Sequence, residues 1–366
     1  MPTLTPKMQN RYSWFEEITG VSEASWIEKR QNSISTNSNG ELTIRNLKTG
    51  KVYEAGTLAV HSIDDLTPYE SRESHTPPPF EIHIRTSEQS IQNVDVAYLQ
   101  SRAPERALFQ VASNFNCAEV ANRWVAPNNG SFVSNLAIDS TQGPAASASG
   151  GVSAITRIHA PFYNPDTHPS TWGQTIKRQI ELLGHSIVTN HFPVVNGKLW
   201  FEGTEPTQYN PEDILPKIRV GLHWGVRAYF GQRMDSYMES FDTPKTIDQI
   251  FVAALNRKAP LPHSHHIESK TKLLLRAAYE GTYLCARLCN NLHLTLTLVG
   301  GGSFANPPEL IANAIALAHK KWGGQTSLEK VILPLYPLHG HVQGYDFVDL
   351  LSRAFLSMDM KHALSV

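Results

Sequence analysis

Apolar and polar positions along this chain follow two periods. In "KIRVGLHWGVRAYFGQ" (217–232) they alternate, which predicts a strand. In "SKTKLLLRAAYEGTYLCARLCNNL" (269–292) leucines, alanines and aromatics return every three to four residues, which predicts a long helix with one buried face. From there the two periods take turns. "HLTLTLVGGG" (293–302) reads as a strand, "PELIANAIALAHKKW" (308–322) as a helix, "LEKVILPLYP" (328–337) as a strand and "DFVDLLSRAF" (346–355) as a short closing helix. Earlier, "ALFQVASNFN" carries an apolar strand over Ala107 to Ala112, "IKRQIELLGHSI" (176–187) has the helical period, and "TIDQIFVAALN" (246–256) fits either. Helix, strand, glycine loop, helix, strand is the grammar of an α/β sheet covered on its faces.

The first hundred residues read differently. "YSWFEEITG" is a short amphipathic helix ended by Gly20. "GELTIRNLKTGKVYEAGTLAV" alternates about a turn at "KTGK", which predicts a hairpin, and "HTPPPFEIHIRT" holds one short alternating strand. Residues 1–101 are read as an N-terminal extension packed on a core formed by 102–366. "STNSNG" and "STQGPAASASGG" are loops of polar and small residues.

In open α/β sheets, ligands sit beyond the carboxyl ends of the strands. Three loops there have suitable chemistry. "LTLVGGGSFANPPELI" brings a strand into Gly300, Gly301 and Gly302, then Ser303, Phe304, Asn306 and a helix begun by prolines. Bare backbone and a helix N-terminus favour a phosphate, although a tight strand-to-helix turn explains the glycines equally well. The spacing is neither that of a Walker loop nor of a Rossmann fingerprint. "DSTQGPAASASGG" (139–151) turns at Gly143-Pro144 and continues in small residues that can lie flat against a ligand or a neighbouring helix, with Asp139 and Gln142 beside it. "QVASNFN" ends a strand with Asn114 and Asn116, whose amides suit ribose hydroxyls or a turn.

In this order the three loops resemble those of the macrodomains, the ADP-ribose-binding α/β/α family. The resemblance implies a three-layer α/β/α mixed sheet. It puts Asn114 or Asn116 at the distal ribose, the loop with Gln142 and Gly143 around that ribose and the phosphates, Gly300 to Ser303 and Asn306 on the diphosphate, and Phe304 over the ribose. "ALFQVASNFN", "VGLHW", "FVAALN", the run from Asp139 to Ala145 and "GGGSFANPPELI" are closest to a divergent branch near the poly(ADP-ribose) glycohydrolases. That branch includes bacterial effector-type hydrolases that remove ADP-ribose from protein, with arginine-linked ADP-ribose on ubiquitin among the targets. The chain departs from the pattern in three places. The Gln-Glu-Glu run of the glycohydrolases is absent, the first loop has alanine and serine for glycine, and Ala305 replaces the glycine that normally follows the aromatic.

Removing ADP-ribose from an acceptor is hydrolysis at an anomeric carbon and calls for a carboxylate near the distal ribose. Asp139 beside the first loop is the leading candidate. Asp235, Glu239 and Asp242 in "GQRMDSYMESFDT" (231–243), read as a loop at a strand end, are the others. The activity so implied is that of an ADP-ribosyl glycohydrolase, with ADP-ribose as ligand or product and no cofactor. A non-catalytic ADP-ribose reader, and an NAD- or nucleotide-using transferase or dehydrogenase, are the alternatives.

Composition narrows the partners. The 366 residues carry a net charge of −1 with 18% charged side chains, which argues against nucleic acid or anionic membrane as a partner. No apolar run reaches the ~18–20 residues of a membrane span, and the N-terminus lacks a signal-peptide core. Cys117, Cys285 and Cys289 are an odd, sparse set that fits a reducing compartment, the cytoplasm or a host cytosol for an effector. Cys285 and Cys289 share a helix face, and "PLPHSHHIES" clusters His263, His265 and His266, but neither set has the spacing of a zinc site, and no metal is expected.

Overall fold

The computed structural model describes residues 7–10, 13–67, 75–84, 92–118, 148–160, 172–175, 179–201, 208–234, 237–258, 266–335, 344–360 and 364–365. Nine strands among them form one mixed sheet. The first hundred residues supply β1 (Lys7–Asn10), β2 (Thr57–Ser62) and β3 (Phe80–Ile84). Then come β4 (Ala107–Ala112), β5 (Arg219–Met234), β6 (Tyr237–Val252), β7 (His293–Thr295), β8 (Lys330–Leu335) and β9 (Leu364–Ser365). The order across the sheet is β9-β3-β8-β7-β4-β6-β5-β2, with β1 beside the start of β6. From β6 to β9 all neighbours are parallel, whereas β5 is antiparallel to both β6 and β2.

Alternation along the strands separates two faces. On β5, Val220 and Leu222 share a core with the long helix His266–Leu288, while Gly221 and His223 face the other way, toward Cys117 and Arg157. On β4, Ala107, Phe109 and Val111 join one core and Leu108 the other. The helices follow this division: α1 (Trp14–Thr19) and α2 (Gly151–His159) belong to one face, and α3 (His266–Leu288), α4 (Pro308–Trp322) and α5 (Gly344–Ser357) to the other. The result is the three-layer α/β/α arrangement with a mixed sheet. Fully buried side chains such as Leu108, Leu294 and Val331 each contribute about 2 kcal/mol relative to exposure.

Two polar devices fix α3. Glu280, 1% exposed, meets Arg276 Nε at 2.5 Å on its own helix and Lys321 Nζ at 2.7 Å and Trp322 Nε1 at 2.9 Å on α4. This buried carboxylate is satisfied on every side and sets α4 against α3. Gln110 on β4 holds α3 from the sheet, donating to Thr282 Oγ1 at 2.8 Å.

The N-terminal segment adds a three-stranded antiparallel sheet (34–36, 42–45 and 52–54), the hairpin foreseen about "KTGK". Trp14, Phe15 and Trp26 pack with Ile155 and Ile158 of α2. Gly150 and Gly151 are small because protein lies against them. A Cβ on Gly150 would come within 2.6 Å of Val226, and one on Gly151 within 2.7 Å of the Trp14 ring.

Three expectations are corrected. "GQRMDSYMESFDT" is no loop: apart from residues 235–236, outside the described set, it forms the end of β5 and the start of β6, whose pairing is interrupted by register shifts. The helical period of "IKRQIELLGHSI" gives no helix over 179–185. There the Ile180 N–H goes to the Gln174 side chain and the Leu182 N–H to Phe115 O, so tertiary partners replace the helical ladder. The strand in "HLTLTLVGGG" is only three residues long, because side chains capture the next backbone groups, as described below.

Candidate functional site

The parallel strands β4, β6 and β7 end side by side, and three segments leave them: 113–118, 253–258 and 296–307. Beyond Leu296, whose N–H still bonds Ile332 O, the chain exits the sheet. The Thr297 N–H is taken by Gln110 Oε1 at 3.1 Å and the Val299 N–H by the Tyr279 hydroxyl at 3.1 Å, and that hydroxyl donates to Thr297 O at 2.8 Å. Burial pushes the Tyr279 pKa up, so the hydroxyl remains a donor. Two buried side chains thus aim the glycine loop.

The loop is a series of tight turns. Gly301 N–H bonds Leu298 O, Ala305 N–H bonds Gly302 O, and Asn306 N–H bonds Gly300 O. Gly300 has φ +73°, and a Cβ there would lie 2.2 Å from Asn306 Nδ2 and 2.8 Å from Ala254 Cβ. Ala305, where the loop pattern it resembles has glycine, also has positive φ, +52°. The backbone therefore keeps the glycine-type conformation with an alanine in place. Gly301 is buried between Leu298 and Ile311, whereas Gly302 has open space beside it. The N–H groups of Gly302, Ser303 and Phe304 have no hydrogen-bond partner among the described residues. Successive free N–H groups in a turn form a concave donor array suited to an anion.

The end of α4 adds less than expected. Pro307 and Pro308 carry no N–H, and the Leu310 and Ile311 N–H groups bond Pro307 O. Glu309 already sets negative charge in the first turn. Among the described residues, the loop N–H groups, joined at the helix end by that of Glu309 alone, are the available donors.

Asn114 and Phe304 line one tight cleft, together with Phe115, Ala254, Asn256 and the segment 197–199. Its cavity volume is about 10 Å³, room for one water. Phe304 is half-buried and packs against the α3–α4 core, so a group larger than a water enters here only by displacing the ring or the 197–199 wall. No carboxylate lines the cleft among the described residues.

The other candidates fall elsewhere. Asn116, fully buried, accepts from the Ala118 N–H at 3.2 Å and donates to Gln179 Oε1 at 3.2 Å, so its amide holds the turn after β4. Asn306 donates to Leu255 O at 2.9 Å and Gly300 O at 3.1 Å, tying the glycine loop to the segment after β6. Asp242 is exposed, in ion pairs with Lys7 at 2.5 Å and Lys51 at 3.7 Å, near the start of β6, while the cleft lies past that strand's end. Lys7 holds its carboxyl below the usual range. Glu239 makes a bidentate pair with Arg102, both distances 2.9 Å. Asp139, Gln142, Gly143, Asp235, His263 and His265 lie outside the described residues.

One wall of the cleft escaped the sequence reading. Val194–Val195 and Lys198–Leu199 form a small hairpin whose turn residues Asn196 and Gly197 have φ +51° and +74°. Asn-Gly between apolar residues is a strong short-range hairpin signal and could have found it. Gly197 O accepts the Phe115 N–H at 2.8 Å, which docks the hairpin on the turn after β4.

No protein-family model and no curated protein matches the chain. Among solved structures it is similar to a poly(ADP-ribose) glycohydrolase from Thermomonospora curvata, with 15% identity over 94% of this chain and 99% of that one and a TM-score of 0.44. It is also similar to a poly(ADP-ribose) glycohydrolase from Deinococcus radiodurans solved in complex with ADP-ribose, with 14% identity over 82% of this chain and 95% of that one and a TM-score of 0.40.

Proposed function

We propose that the protein binds ADP-ribose at the ends of β4 and β7 and hydrolyses its linkage to a modified protein, with residues 102–366 carrying the site. One observation carries the reading: the free N–H groups of Gly302, Ser303 and Phe304 form a donor array on the loop whose aromatic shares a cleft with Asn114. The diphosphate takes the donor array, and the distal ribose lies between Asn114 and a displaced Phe304. The glycohydrolase neighbours are in keeping with this reading. Asp139 serves as the carboxylate that positions water at the anomeric carbon. Asp242, engaged by Lys7 and Lys51, takes no part.

Calorimetric titration with ADP-ribose tests the binding step, and a protein that takes up none sinks the reading. Release of free ADP-ribose tests turnover, with arginine-ADP-ribosylated ubiquitin and poly(ADP-ribose) as the substrates compared. Asp139→Asn is expected to bind ADP-ribose and release none. The absence of a carboxylate from the described cleft favours a second reading, a binder without turnover, and binding without release by the unaltered chain would establish it.

A further inference from the structure

A cavity of about 560 Å³ opens on the α2 side of β5 and shares no lining residue with the Asn114 cleft. Its size suits a small organic molecule. Arg157, in the last turn of α2, lines it and is 7% exposed. The guanidinium is held firmly: Nε donates to Cys117 O at 3.0 Å, NH1 lies 3.3 Å from His223 Nδ1, and the group sits 3.8 Å from the centroid of the Phe251 ring. His223 Nε2 is 2.8 Å from Ala55 O. A carbonyl can only accept, so Nε2 carries the proton, Nδ1 accepts from Arg157, and the imidazole is neutral. Burial and the adjacent guanidinium hold it neutral, with its pKa down to about 3.

Each group around the Arg157 charge is therefore uncharged: a carbonyl, an imidazole and a phenyl ring. Its NH2 has no hydrogen-bond partner among the described residues. Burial lowers the pKa only to about 10, so the group is a cation at neutral pH. A buried cation with no counter-ion in contact among the described residues is costly, and the C-terminal dipole of α2 offsets only part of that cost. The rest of the cavity is mixed. Gln179 and Thr156 bring polar groups. Arg219 brings a second guanidinium, and Glu181 a carboxylate that lies over Gly184. Leu58 and Val60 of β2 form an apolar wall.

We propose that this cavity binds a small molecule with a single oxyanion head, carboxylate or phosphate, held by Arg157 with its apolar part against Leu58 and Val60. The site is separate from the ADP-ribose reading and does not rest on it. Guanidinium pairs with either head group in the same two-point manner, so the probes must tell them apart.

Calorimetric titration of the full chain with inorganic phosphate, phenyl phosphate and benzoate, at constant ionic strength, is the test. Saturable binding of phenyl phosphate or of benzoate is expected, and whichever binds identifies the head group. Inorganic phosphate is expected to bind about tenfold more weakly, since it leaves the apolar wall unused. Arg157→Met is expected to weaken binding at least about tenfold. Because that side chain is buried, Val60→Trp on the half-buried β2 wall, which fills the cavity from its edge, provides the second variant, with cooperative unfolding as the check on folding. Gly302→Val, which obstructs only the glycine loop, is expected to leave the titration unchanged. The proposal is overturned if neither aromatic probe binds saturably, if folded Val60→Trp binds as the unaltered chain does, or if Gly302→Val abolishes binding.

Discussion

The Tyr279 hydroxyl accepts from the Val299 N–H at 3.1 Å while donating to Thr297 O at 2.8 Å, so one atom of α3 holds both sides of the bend at which the chain leaves β7. Tyr279→Phe keeps the ring, removes both of these bonds and leaves the Val299 N–H only its strained local bond to Thr297 O at 3.0 Å. It is expected to lower stability by about 2 kcal/mol, read by urea unfolding, and to weaken ADP-ribose binding because the donor loop is no longer aimed. Unchanged unfolding would show that water or a backbone shift satisfies both groups.

Positions 300 and 305 of the same loop have positive φ and opposite prospects. Gly300→Ala drives a methyl group into Asn306 and Ala254 and is expected to cost more than about 2 kcal/mol. Ala305→Gly relieves a left-handed alanine, worth about 1–2 kcal/mol, against about 1 kcal/mol of added chain freedom. The net expectation is a small gain in stability, measured by the same unfolding transition. A clear loss would mean that the Ala305 methyl group packs productively.

The cleft makes its own prediction. Asn114→Ala and Phe304→Ala are each expected to weaken ADP-ribose binding by several-fold to about tenfold. Phe304→Ala should also accelerate association, because with the ring in place the cleft admits only one water. Stopped-flow binding separates the two effects, and equal association rates would show that the ring does not gate the cleft.

Asp242 and Asp139 are distinguished by turnover. Asp242 sits in an exposed ion pair, so Asp242→Asn is expected to leave ADP-ribose release within about twofold of the unaltered rate. A larger loss would bring the start of β6 into the reaction.

Stability should depend on pH through His159 and His223. Both are buried and neutral beside guanidinium groups, Arg30 and Arg157, and burial lowers each pKa to about 3. An unfolded histidine takes up a proton near pH 6.5. Between pH 6.5 and about 3 the unfolded chain thus binds protons that the folded chain refuses, and stability falls as pH falls. Each histidine contributes about 1.4 kcal/mol per pH unit. Urea midpoints at pH 7, 6 and 5 are expected to decline, and His223→Gln should reduce the slope. A flat profile over that range would mean that one or both rings are protonated in the folded protein.

Much of this fold was legible in local pattern. The strong alternation of 217–232 and the unbroken helical period of 269–292 became β5 and α3, although α3 is buried on all sides from Ala277 to Arg287 and not along the single face its period predicts. "TIDQIFVAALN" was ambiguous by period, and pairing with β4 and β5 settled it as strand. The helical period of 176–187 misled because Leu182 and Leu183 face a core built by distant segments, and their backbone partners are distant too. The order of loops implied that Asn114 or Asn116 lies near Phe304, and Asn114 and Phe304 line one cleft. Spacing alone could not separate Asn114, which lines the cleft, from Asn116 two residues on, which holds a turn, since only tertiary partners distinguish the two amides.

The sheet is assembled out of chain order, and this has a consequence for synthesis. β3, completed by Ile84, has as its neighbours β8, whose Val331 pairs with Phe80, and β9, whose Leu364 pairs with the same residue. Both flanks of β3 therefore stay unpaired on the ribosome until β8 and β9 have been made. Contacts this distant in sequence form slowly, and an exposed strand in the interval is open to pairing with another nascent chain. Truncation before β8 is thus expected to yield an aggregating fragment rather than a smaller domain.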